Sequence, residues 1–90
     1  MANKKNLKRS ISAICSELFA EGVATSLYGN KENKADVDAL LCSIIEIHAD
    51  YLRRISHPEP GMPAKKYYRT LIEDFNKQAS EIVDQITNLQ

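Results

Sequence analysis

Cys15 and His48 are the side chains of this chain with the widest chemical reach. A thiol and an imidazole together are half of a zinc site or the start of a nucleophile–base dyad. A zinc site needs further ligands, and a dyad needs an orienting group and an oxyanion donor. No such group is evident nearby in the sequence, so the expectation is a histidine hydrogen-bonded across a buried core. Cys42 has no activating neighbour and reads as a tolerated surface thiol. The carboxylates are no better placed. Glu17 with Glu21, and Glu46 with Asp50, are one helical turn apart on solvated faces, while Asp36 and Asp38 suit a helix start. The sequence carries no glycine-rich phosphate loop, HExxH, CxxC or nucleophile elbow. No catalytic residue, metal site or cofactor is expected, and the chain reads as a non-enzyme.

The elements that position these groups are set by two breaks. Gly29-Asn30-Lys31-Glu32-Asn33-Lys34 is a polar turn in which Gly29 suits a left-handed helix terminator. Ser56 to Pro63 holds three prolines and a glycine, which forbid continuous helix. Between the breaks, apolar residues recur at helical spacing. Leu7, Ile11, Ile14, Cys15, Leu18, Phe19, Gly22, Val23 and Leu27 do so in the first segment. Val37, Leu40, Leu41, Ile44, Ile45, Ile47, His48, Tyr51, Leu52 and Ile55 do so in the second. In the third, Tyr67, Tyr68, Leu71, Ile72, Phe75, Ala79, Ile82, Val83, Ile86 and Leu89 share one arc. The spacing predicts helices over about 5–28, 35–56 and 63–89, with Asn33 or Asp36 as N-cap of the second and Pro63 at the first position of the third.

Short connections force antiparallel neighbours, so the expected fold is all-α, an antiparallel up-down-up three-helix bundle in a single domain over 1–90. Facing residues of the first two helices should have numbers summing to about 63, which sets Cys15 level with His48. Cys42 then lies about 9 Å along the axis from Cys15, beyond disulfide reach.

Twelve basic and twelve acidic residues cancel, yet the fold separates them. An up-down-up arrangement collects Lys4, Lys5, Lys8, Arg9, Arg53, Arg54, Lys65, Lys66 and Arg69 at one pole. Such a pole could bind an anionic ligand, a nucleic acid or an acidic protein, through phosphate or carboxylate contacts. The helices are too long and their turns too loose for a helix-turn-helix reader.

A second surface follows from the drift of Phe19, Val23 and Leu27 away from the Leu7–Ile14–Leu18 stripe. If that stripe faces the core, these three form a candidate face for a protein partner or for a homodimer, with Gly22 permitting close approach. The alternative is a first helix rotated to bury its middle, leaving only Leu27 outside. Pro58, Pro60 and Pro63 could stiffen a loop for recognition, although helix breaking alone explains them.

No apolar run reaches the roughly 18 residues of a membrane span, and the basic N-terminal stretch is not followed by the apolar segment of a signal peptide. With two unpatterned cysteines, a cytoplasmic protein is expected. The stretches Ile11-Ser12-Ala13-Ile14-Cys15-Ser16-Glu17-Leu18-Phe19 and Arg54-Ile55-Ser56-His57-Pro58-Glu59-Pro60-Gly61 resemble small uncharacterised all-helical proteins of Bacteroides-type bacteria. That resemblance implies a bacterial, cytoplasmic helical domain and supplies no activity, cofactor or binding residue. The expected function is a non-catalytic interaction module, homodimeric or bound to another protein, with anion binding at the basic pole as the alternative.

Overall fold

A computed structural model describes residues 4–29 and 31–89. They form α1 (Lys4–Tyr28), a 3-10 turn (Lys31–Asn33), α2 (Lys34–Ser56) and α3 (Ala64–Leu89). The helix bounds lie within one residue of those the periodicity predicts. The three helices make an up-down-up bundle measuring 48 × 19 × 17 Å.

The direction of each helix is visible in its cross-helix contacts. Ser12 and Gly22 of α1 meet His48 and Leu41 of α2. Tyr51 of α2 meets Phe75 and Gln78 of α3, and Arg54 meets Tyr67. The first set of numbers sums to 60–63, as antiparallel pairing at equal rise requires.

The core takes one stripe from each helix: Leu7, Ile11, Cys15 and Leu18; Val37, Leu40, Ile44, Tyr51 and Ile55; Leu71, Phe75, Ile82 and Ile86. Their spacings of three, four and seven keep them on one side of a 3.6-residue helix. Each buried aliphatic or aromatic side chain contributes about 1.5–3 kcal/mol of transfer free energy, opposing the ordering entropy of the chain. Tyr51 is the largest of the fully buried side chains. Its ring meets Phe75 edge-on at 5.2 Å, and its hydroxyl accepts a hydrogen bond from Gln78 at 2.9 Å. A polar tip is thereby carried into the interior with a partner.

The helix ends correct two local expectations, at Gly29 and Pro63, and refine a third, the N-cap of α2. Gly29 is not left-handed; among the described residues, Gly61 is the glycine with positive φ, at 88°. Gly29 instead continues the helical pattern, its N–H donating to the Thr25 carbonyl at 2.8 Å. A Cβ there would collide with that same carbonyl, which is the reason for glycine at this position. Asn33 is the N-cap residue of α2, but its side chain makes no cap. Its amide reaches across to donate to the Leu89 carbonyl of α3 at 3.3 Å. Pro63 precedes α3 rather than opening it, and its carbonyl accepts the Tyr67 N–H at 2.9 Å.

Two phenols satisfy the C-terminal end of α2. Tyr67 and Tyr68, near the start of α3, donate to the Arg54 and Ile55 carbonyls, each at 3.0 Å. These are carbonyls that a helix end leaves without intrahelical partners. The connecting loop then turns through Glu59-Pro60-Gly61-Met62. The Met62 N–H faces the Glu59 carbonyl at 3.4 Å, and the left-handed Gly61 sits where a type II turn requires it.

Packing among the helices is unequal. α1 and α2 make the most extensive contact, because Gly22 lets Leu41 lie directly against the α1 backbone. α1 and α3 make the least.

Candidate interaction groove

The weak α1–α3 contact leaves a groove along one side of the bundle. Near the start of both helices it is a shallow hollow of about 250 Å³, with Leu7 and Ile11 on one wall and Ile72 and Phe75 on the other. Farther along it widens to about 580 Å³, floored by Leu18 and Ala79. Ile14 and Asn76 line both stretches, so the two are continuous. Ile14 and Val83 present side chains to this open space at 37% and 42% exposure. Glu17, Glu21 and Asp84 rim the wider part. An apolar floor with charged edges is the ordinary form of a helix-binding groove.

The expected Phe19–Val23–Leu27 face lies on a different side. Phe19 packs against the core and, with Ile44 and His48, lines a separate hollow of about 290 Å³. Val23 is half-buried, and Leu27 is 69% exposed. Gly22 serves the α1–α2 contact inside the molecule. Ile14, placed with the core stripe by periodicity, is instead the residue left partly open.

Cys15 and His48 are neighbours, as their level predicted, and both line that 290 Å³ hollow. The imidazole is engaged elsewhere: its Nε2 stands 2.8 Å from the Ser12 hydroxyl. Ser12 lies one turn before Cys15 and shares the face of α1 that meets α2, a signal present in the spacing but overshadowed by the thiol. A hydroxyl beside an imidazole is the geometry of a nucleophile and base, yet a dyad also needs an orienting group and an oxyanion donor. Burial pushes the Cys15 thiol above its ordinary value, which keeps it protonated at neutral pH and weakens it as a nucleophile. Among the described residues no group of three or more His, Cys, Asp or Glu side chains could hold a metal ion. Cys42 is exposed.

The fold brings the expected basic pole together. Lys4, Lys5, Arg9, Lys65, Lys66 and Arg69 are exposed there, and Lys8 is half-buried. Arg53 and Arg54 both pair with Asp50, at 3.6 and 3.0 Å, and Arg54 also lies over the Tyr51 ring at 4.9 Å. Beside the pole, the proline loop closes a cleft of about 840 Å³ between Arg54, His57 and Tyr67, with Glu59 and Asp74 in its wall. Both signs of charge meet in that cleft, so it offers no concentrated field for an anion.

Among the described residues no helix is long and apolar enough to cross a membrane. No protein-family model, no curated protein and no solved structure matches this chain.

Proposed function

We propose that this chain is a non-catalytic protein–protein interaction module that docks a partner in the groove between α1 and α3. The observation that carries this is the pair Ile14 and Val83, two large aliphatic side chains left partly exposed in one continuous groove. Burying them against a partner removes apolar area from water at about 25 cal/mol per Å². The free, unpaired cysteines support a reducing, cytoplasmic setting for such a module.

A photo-cross-linking residue at Ser80, on the groove wall, tests this in the cells that make the protein. A specific covalent adduct is expected there, absent when the same residue replaces exposed Asp38 on α2 and lost again in Ile14→Glu. No adduct above the Asp38 control would sink the assignment. Anion binding at the basic pole has the convergence of cations in its favour. Against it stands Asp50, which already engages two of the nine.

A further inference from the structure

The groove's charge pattern identifies its occupant. Helical spacing puts Arg69 and Lys65 on the face of α3 that carries Ile72 and Asn76, at intervals of three and four residues, beyond the shallow hollow at its basic end. Glu17, Glu21 and Asp84 edge the groove at the other end, Glu17 nearest the middle. Ile14 and Asn76 stand level between the two, since both line both stretches. At 1.5 Å per residue, Arg69 lies about 10 Å to one side of that level, while Glu21 and Asp84 lie about 10 and 12 Å to the other. Arg69, Glu21 and Asp84 make no ion pair among the described residues.

A surface with opposite charges at similar distances on either side of Ile14 and Asn76 is complementary to itself when turned end over end. We infer that the groove is occupied by a second copy of this chain, packed antiparallel about a two-fold axis near Ile14 and Asn76. The inference rests on the groove being a docking surface, as proposed above. Turning one copy over sets Ile14 against its counterpart and Arg69 of each copy beside Glu21 and Asp84 of the other. An isologous contact of this kind closes at two copies and covers the groove of each. A parallel arrangement would oppose Arg69 to Arg69 and Glu21 to Glu21.

Sedimentation equilibrium over a dilution series from about 100 µM to below 1 µM, which brackets the micromolar affinity of the weakest standard interfaces, reads the dissociation constant directly. The unmodified chain is expected at twice 10.1 kDa. Arg69→Glu alone, and Glu21→Arg with Asp84→Arg, should each weaken association by about tenfold or more, since like charges then meet across both halves of the interface. Combining all three substitutions reverses every pair and should restore the dimer. Circular dichroism on each variant separates loss of association from loss of fold. A monomeric unmodified chain, single-side variants whose dissociation constant matches that of the unmodified chain, or a combined variant that fails to recover would each overturn the second copy as occupant. The Ser80 adduct distinguishes that failure from failure of the groove itself: an adduct of another mass keeps the groove and removes the dimer.

Discussion

Gly22 of α1 lies so close to Leu41 of α2 that a Cβ on the glycine would come within 2.6 Å of the Leu41 Cδ2 atom. Two effects compete on substitution. Alanine gains about 1 kcal/mol of helix propensity over glycine. Displacing the end of one half-buried leucine into another rotamer costs a similar amount, about 0.5–1.5 kcal/mol. Gly22→Ala is therefore expected to stay within about 1 kcal/mol of the parent in urea denaturation. Gly22→Leu cannot be absorbed by a rotamer change and should lose about 2–3 kcal/mol by forcing α1 and α2 apart. Equal stability of the two variants would show that the close approach is unimportant.

The two phenols at the end of α2 should not be equivalent. Tyr68 donates to the Ile55 carbonyl from a partly buried position, whereas the Tyr67 bond to Arg54 is exposed. Removing the Tyr68 hydroxyl leaves a carbonyl poorly served by water, so Tyr68→Phe should cost about 1 kcal/mol. Tyr67→Phe should cost less than half of that, because solvent replaces the lost donor. Amide exchange in the last turn of α2 should accelerate in the first variant and change little in the second.

Thiol labelling separates the cysteines. Cys42 is exposed and Cys15 buried, so a disulfide reagent should modify one thiol quickly in the folded protein and the second only on unfolding. Cys42→Ser should abolish the fast phase. A fast phase that persists in Cys42→Ser would show that Cys15 is reached without unfolding.

Alkaline pH should destabilise the fold in two stages. Burial raises the Cys15 thiol above its ordinary 9.0. The Tyr51 phenol is raised above its ordinary 10.0 mainly by burial, with Asp74 and Asp50 adding and Arg54 and the Gln78 hydrogen bond opposing. In both, the unfolded chain releases its proton at lower pH than the folded one, so rising pH pulls the equilibrium toward unfolding. The denaturation midpoint should be insensitive to these two groups below pH 9 and decline as pH rises through their raised folded values. Cys15→Ala, although less stable throughout, should flatten the decline between 9 and 10. A decline of unchanged slope in that variant would clear Cys15 of the first stage.

The helices, their order and their antiparallel register were legible because apolar spacing and proline placement act locally. Leu7, Ile11 and Cys15, or Phe75, Ile82 and Ile86, are found by counting. The groove was not legible in the same way. Ile14 and Val83 sit at the edge of their apolar arcs, and periodicity assigns an arc its width without saying which part meets a neighbour. The rotation of α1 is decided by Gly22 fitting against Leu41, a tertiary contact with no local signature. Once that contact is made, Phe19 turns toward α2 and Ile14 toward the open side. The partnership of Ser12 with His48 was hidden for a related reason: a serine on a helix is usually solvated, and only the register gives it a partner.

Unequal helix packing also has a consequence for motion. α1 and α2 pack closely on each other, whereas α3 rests on both by sparser contacts, so α3 is the side of the groove that can shift. Regions of low contact density are the first to fluctuate. The width of the groove is thus the softest dimension of the molecule, able to adjust to side chains of different size without disturbing the α1–α2 hairpin behind it.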